Sequence, residues 1–227
     1  MEGITLGNYR MIRKIGEGGM GSVYLARDLS LEREVAIKII SPELARNPEL
    51  MARFRVEAIA QARLNHTNIV TIHSFEHRKQ IYYIVMEYVE GKTLKVLIRE
   101  CGKIPVRQSL EIVSRILAGL SYAHSMGVLH RDIKPANIFI TGGDEVKIGD
   151  FGIAKVKGID GLTRVGSTLG TPLYSSPEQI RGKKMGPATD IYSLGVTLYE
   201  MLTGTPPFNS STGLNFEIQQ GHLEKTK

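Results

Sequence analysis

The chain has no tryptophan and a single cysteine, Cys101, among its 227 residues. One cysteine cannot close an intrachain disulfide, which excludes a disulfide-stapled scaffold and fits a reducing compartment. No stretch approaches the roughly 18 consecutive apolar residues of a membrane-spanning helix. The first ten residues, MEGITLGNYR, lack the basic-then-apolar pattern of a secretory signal. These absences predict a soluble, cytoplasmic chain with no membrane segment. Lys and Arg never form a run of five, although the formal net charge is +6. The excess is spread among acids, so a nucleic-acid partner is not expected. Internal repeats and low-complexity tracts are also missing, which excludes a solenoid. What remains, 42% hydrophobic and 23% charged residues, is the balance of an ordinary globular protein. The length suits one substantial domain or two small lobes.

Glycine is plentiful, and one cluster of it poses a structural choice. Residues 16–23 read GEGGMGSV, with Gly16, Gly18 and Gly21 in the pattern G-x-G-x-x-G. A dinucleotide fold requires a helix directly after such a run, with the pyrophosphate at the helix N-terminus. Here SVYLARD (22–28) alternates, and EVAIKII (34–40) is again rich in β-formers. The glycines therefore join strand to strand, and the dinucleotide reading fails its context test.

Next comes a helix start at NPEL, with Asn47 as N-cap and Pro48 in first position. Phe54, Ala58 and Ala62 form its apolar stripe. Two more strands are predicted, around 70–75 and 81–87. After Thr93 the chain turns helical. Residues 109–127 place Leu110, Val113, Leu117 and Leu120 at helical spacing, with Gly127 as C-cap. NIFI (137–140) and EVKI (145–148) flank Gly142-Gly143-Asp144, a hairpin signal. Residues 152–176 read as a long loop. DIYSLGVTLYEML (190–202) is apolar nearly all round, which predicts a buried helix ended by Gly204, Pro206 and Pro207.

Phosphoryl transfer needs a cover for the phosphates, a cation, divalent metal, and a carboxylate to orient the attacking hydroxyl. The sequence offers a candidate for each, in order. GEGGMGSV supplies the cover, since glycines let backbone approach phosphate oxygens closely. Lys38, in VAIK, sits in an apolar strand and calls for a partner; Glu57 on the next helix is the natural one. HRDIKPAN (130–137) packs Asp132, Lys134 and Asn137 into one short loop. Asp132 can accept a hydroxyl proton, Lys134 can neutralise a transferring phosphoryl group, and the Asn137 amide oxygen can hold a metal. Asp150, in DFG, is a hard oxygen ligand suited to Mg²⁺.

This ordered set resembles the eukaryotic-type (Hanks-type) Ser/Thr protein kinase domain, closest to its bacterial members. The resemblance runs through GEGGMGSV, VAIK, Glu57, HRDIKPAN, DFG, the SPE of 176–178 and Asp190. It implies an α+β, bilobal fold: residues 1–89 as an ATP-binding lobe of small antiparallel sheet, one main helix and hinge, and residues 90–227 as a mainly helical catalytic and substrate lobe. The implied activity is transfer of the ATP γ-phosphoryl group to Ser/Thr hydroxyls of proteins, the chain's own activation loop included, with ATP and Mg²⁺ as cofactors. Lys38, Glu57, Asp132 and Lys134 would be catalytic, and Asn137 and Asp150 would hold metal. Ile15, Gly16, Glu17, Gly18, Gly19, Met20, Gly21, Ser22, Val23, Ala36, Lys38, Met86, Glu87, Val89 and Phe139 would contact ATP. Met86 would be the gatekeeper of the hinge VMEYV (85–89). His130 and Phe151 would join an internal stack, and Asp190 would brace the HRD backbone. Lys134, two residues after the base, and Thr171, in GTPLY, favour Ser/Thr over Tyr as acceptor. Thr163, Ser167 and Thr168 are the implied phosphorylation sites, to be met by Arg131.

Some residues depart from the family pattern. SPE stands for the usual APE. Gln61 stands where relatives carry an apolar residue, which suggests partner-assisted activation. The segment GLNFEIQQGHLEK resembles the G helix, and the last two helices of the usual large lobe are not among these residues. The resemblance therefore implies that Glu178 lacks its usual arginine, that stability is reduced, and that an exposed apolar patch favours self-association. The alternative function is a non-catalytic nucleotide-binding scaffold or inactive kinase fragment; a small-molecule phosphotransferase fits GTPLYSSPE poorly. His73 and His77, spaced like zinc ligands, are read as surface residues flanking a strand connection, and Cys101 as a structural residue.

Overall fold

The computed structural model describes residues 1–18, 20–151 and 172–208. Gly19, Thr163, Ser167, Thr168, Thr171 and the G-helix segment lie outside the described residues. Two compact units account for the rest: residues 1–66 with 70–89, and residues 67–69 with 90–151 and 172–208.

The first unit is a six-stranded antiparallel sheet with a helix on one face. β1 (Thr5–Leu6), β2 (Tyr9–Gly18), β3 (Gly21–Asp28) and β4 (Arg33–Ile40) precede a short helix, α1 (Pro42–Ala45), and the main helix, α2 (Pro48–Ala62). β5 (Ile72–Arg78) and β6 (Ile81–Glu87) complete the sheet in the order β1-β2-β3-β4-β6-β5. The glycine run joins β2 to β3 as a hairpin, with Gly18 paired to Gly21. Strand alternation sorts the core into two faces. Met11, Tyr24, Ala26, Val35, Ile37, Tyr83 and Val85 cluster on one. Ile40 and Ile84 cluster with Leu50, Met51, Phe54 and Ala58 of α2 on the other. Asn47 caps α2 as expected, its Oδ1 accepting from the Leu50 N–H at 3.1 Å. The stripe departs from expectation at its end: Ala62 is exposed and Gln61, 8% exposed, takes the inward position. Gln61 is not left without a partner there. His73 and His77 lie within β5 rather than beside a connection, and both are exposed. His77 stacks on Tyr82 with ring centroids 4.0 Å apart.

The second unit begins with β7 (Gly91–Thr93) and α3 (Leu94–Cys101), capped by the Thr93 hydroxyl. The long helix α4 (Val106–Ser125) follows, then a 3-10 turn at Pro135–Asn137, β8 (Ile138–Thr141) and β9 (Val146–Ile148). After a second 3-10 turn at Pro172–Tyr174 come α5 (Pro177–Ile180) and α6 (Pro187–Thr203). β7, β8 and β9 make a small antiparallel sheet. In the β8–β9 hairpin the left-handed residue is Asp144, at φ 59°, a conformation that Asp tolerates better than most residues.

α4 packs on α6 and β9. Its buried stripe is Ile112, Ile116, Gly119, Leu120 and Ala123. Leu110 and Leu117 are therefore corrected to the exposed side, at 56% and 41%. Gly119 is required by close packing: a Cβ there would meet Ile148 Cδ1 at 3.0 Å and the Asn68 carbonyl oxygen at 3.1 Å. α6 buries Leu194, Val196 and Met201 but exposes Ile191 and Tyr199, so it is two-faced rather than enclosed. Gly204, at φ 85°, ends α6 against the Gly102 carbonyl, where no side chain fits. Cys101 is exposed, not packed as a structural residue would be.

Candidate active site

The loop between α4 and β8 is organised around one buried carboxylate. Asp190, fully buried in the first turn of α6, accepts from the His130 N–H through Oδ2 at 2.9 Å and from the Arg131 N–H through Oδ1 at 2.6 Å. His124, in the last turn of α4, adds its Nε2 to Asp190 Oδ2 at 2.8 Å. These bonds hold Arg131 at φ 64°, which a non-glycine residue adopts only under constraint.

His130 extends the brace. Its Nδ1 accepts from the Asp132 N–H at 3.1 Å, which leaves Nε2 as the protonated nitrogen, donating to the Gly149 carbonyl at 3.0 Å. Both nitrogens of a neutral ring are thus used. Complete burial pushes its pKa below the ordinary 6.5, against the field of Asp190. Phe151 lies against the ring, centroids 4.6 Å apart. As pH falls below 6.5 the unfolded chain binds this proton first. Stability from His130 is therefore complete above 6.5 and lost as pH falls toward the lower folded value. Urea midpoints are expected to drop between about pH 7.5 and about pH 5.5, and to drop less steeply in His130→Phe.

On this frame Asp132, Lys134 and Asn137 converge. Lys134 Nζ meets Asp132 Oδ2 at 2.6 Å. Asn137 Nδ2 donates to the Asp132 carbonyl at 2.9 Å and to Asp132 Oδ2 at 3.1 Å. The Asn137 amide thus spends its protons on Asp132, and its hard oxygen faces the other way. The Gly149 N–H donates to the Asn137 carbonyl at 2.9 Å, which brings the next residue, Asp150 at φ 50°, beside the same loop. One amide oxygen and one carboxylate fit Mg²⁺ bound together with phosphate oxygens, a cation that needs few protein ligands. No cluster of three or more His, Cys, Asp or Glu side chains that could hold a metal occurs among the described residues.

In the first unit, the sheet face covered by α2 carries the other candidates. Lys38 pairs with Val23 on β3 and Ile84 on β6, and Ala36 pairs with Met86. Lys38 and Glu57 are half-buried, and each has an interaction partner. Ile15, Gly16, Glu17 and Gly18 lie on β2, Met20 in the turn, and Gly21, Ser22 and Val23 on β3. Glu87 ends β6 and Val89 follows it. Phe139 belongs to the second unit, on β8 between Thr93 and Lys147.

A protein kinase domain model matches residues 9–226. The chain belongs to the protein kinase family. The serine/threonine-protein kinase PrkC of Bacillus subtilis is 44% identical over 218 residues, 96% of this chain and 33% of that protein. PknB of Mycobacterium leprae is 44% identical over 210 residues, 90% of this chain and 34% of that protein. The chain thus spans about a third of the length of these curated relatives. The crystal structure of the PknI kinase domain of Mycobacterium tuberculosis superposes with a TM-score of 0.76 at 32% identity, covering 91% of this chain and 79% of that one. The α+β architecture is that of a protein kinase fold.

The glycine run separates into two roles. Gly21, at φ 140°, has no room for a side chain, because a Cβ would collide with the Ile39 carbonyl. Gly18 has open space, and Gly16 makes ordinary contacts with Val23. Gly21→Ala is expected to destabilise the fold by about 2 kcal/mol or more. Gly18→Ala should leave Tm unchanged, since nothing lies within 4 Å of an added Cβ. Thermal unfolding reads both.

Among the described residues, Glu178 is engaged by hydroxyl and backbone donors. Burial pushes its pKa up, but hydrogen bonds from the Thr189 hydroxyl at 2.6 Å, its own backbone and Ser176 together bring it below the ordinary value. His124 and Gln179 join the loop without any local signal of these long-range contacts in the sequence. Gln179 was detectable as the fourth residue of an S-x-x-Q capping box, though its Nε2 contact with the Arg131 carbonyl, 48 positions away, was not.

Proposed function

We propose that this chain transfers the γ-phosphoryl group of ATP to Ser/Thr hydroxyls of proteins. The observation that carries this reading is the convergence of Lys134 and Asn137 on one carboxylate, Asp132, inside a loop pinned by Asp190. Asp132 Oδ1 or Oδ2 takes up the proton as the substrate hydroxyl attacks, and its two neighbouring donors fix its direction. Lys134, 28% exposed at its side chain, is placed to neutralise charge on the transferring group. Asn137 and Asp150 would hold Mg²⁺, which supplies charge neutralisation on the phosphates. Lys38 would pair with Glu57 and bind the α- and β-phosphates, while Val23, Ala36 and Met86 on neighbouring strands would pack on adenine. Residues 1–89 would then serve as the ATP-binding lobe and residues 90–227 as the catalytic lobe. Thr171 would contact Asp132 and Lys134, in keeping with a Ser/Thr acceptor. Phosphate on Thr163, Ser167 or Thr168 would meet Arg131, and mass spectrometry after autophosphorylation finding none there would remove that part.

The test is transfer from labelled ATP–Mg to a generic Ser/Thr protein substrate. Labelled product supports the kinase reading. Bound ATP without transfer supports the scaffold instead.

A further inference from the structure

Gln179 sits at the third helical position of α5, where its side chain is oriented by a reciprocal cap. Its Oε1 accepts from the Ser176 N–H at 3.0 Å, and its own N–H donates to Ser176 Oγ at 3.4 Å. With Oε1 committed, Nε2 is the end that faces outward. It donates to the Arg131 carbonyl at 2.8 Å. The other end of that peptide group, the Asp132 N–H, donates to His130 Nδ1. The peptide joining Arg131 to Asp132 is therefore held at both its polar ends, and the preceding N–H is held by Asp190. This peptide directs the Cα–Cβ bond of Asp132. Rotating it swings the carboxylate away from Lys134 and Asn137.

We propose that Gln179 is a positioning residue for phosphoryl transfer. Through its Nε2 bond to the Arg131 carbonyl it locks the direction of the Asp132 carboxylate, so the aim of the base depends on a formed Ser176–Ile180 turn. The inference rests on the kinase reading above. It adds a lock that joins α5, the first helix after the segment holding the candidate phosphorylation sites, to the base itself.

Two substitutions separate positioning from support of the fold. Gln179→Glu keeps an oxygen for the Ser176 N–H, as in an S-x-x-E capping box, but presents no proton to the Arg131 carbonyl. Gln179→Met loses both bonds. In the intact chain, Gln179→Glu should leave ATP affinity unchanged and lose less Tm than Gln179→Met, because it keeps the bond from the Ser176 N–H. Its kcat should fall about tenfold, within the range that misplacement of a catalytic group produces. Hydrogen exchange in a peptide covering residues 128–134 should quicken in the same variant. Gln179→Met should lose both Tm and kcat. If Gln179→Glu transfers phosphate within about twofold of an active wild type, the proposal is overturned. It is also overturned if Gln179→Glu loses as much Tm as Gln179→Met, since support of the fold then explains any loss of rate. A wild-type chain that binds ATP and transfers nothing overturns the kinase reading itself, a result distinct from both.

Discussion

Asp132→Asn is expected to lower kcat about a thousandfold while leaving Tm and ATP affinity close to wild type, within the usual span for loss of a general base. The reasoning is geometric. Asp132 Oδ2 receives both Lys134 Nζ at 2.6 Å and Asn137 Nδ2 at 3.1 Å. An asparagine can turn its amide oxygen to those two donors and keep the loop in place. The remaining position then holds an NH₂ group, which cannot accept a proton from a hydroxyl. The substitution removes basicity without removing volume or the local hydrogen bonds. Labelled-phosphate transfer, paired with ATP binding and thermal unfolding on the same samples, reads all three quantities. Transfer retained within about tenfold of wild type would move the proton acceptor to another residue.

Asp190→Ala is expected to cost stability and activity together, by about 3–5 kcal/mol in unfolding free energy. Asp190 is 0% exposed. Its removal leaves the His130 and Arg131 N–H groups without their acceptor, and His124 without its carboxylate. Unmatched buried donors are costly because water cannot reach them. Arg131, at φ 64°, would relax once its N–H is released, carrying Asp132 with it. Asparagine at 190 offers little relief, since the two N–H groups bond to different oxygens of the carboxylate and one would face an NH₂ group. Urea unfolding tests this directly, and a variant within about 1 kcal/mol of wild type would show that the brace is not needed for folding.

What could be read in advance was local. Asn47 and Pro48 announced the start of α2 because capping depends on a few adjacent residues. The hairpin at the glycine run followed from strand alternation on both sides of it. The HRDIKPAN loop could be read as a candidate site because Asp132, Lys134 and Asn137 fall within six residues, and they do meet. The buried face of α4 could not be read in the same way. Two overlapping apolar stripes, Leu110, Val113, Leu117 and Leu120 against Ile112, Ile116 and Leu120, both have helical spacing. The choice between them is made by α6 and β9, which are distant in sequence. Burial of Gln61 rather than Ala62 and exposure of Cys101 are likewise tertiary outcomes. The bonds of Asp190 to His130 and Arg131 span 60 and 59 residues, beyond any local pattern.

That separation has a consequence for the order of events during synthesis. A ribosome adds about 5–20 residues each second. When Arg131 has left the exit tunnel, Asp190 has yet to follow it by 59 residues, a delay of roughly 3–12 seconds at that pace. Until then water is the acceptor for two N–H groups of the nascent loop, and nothing holds Arg131 in a left-handed turn. The strands and α2 of the first unit, complete by residue 87, can be made long before. The half that would grip a nucleotide can thus exist on the ribosome well before the base has been aimed.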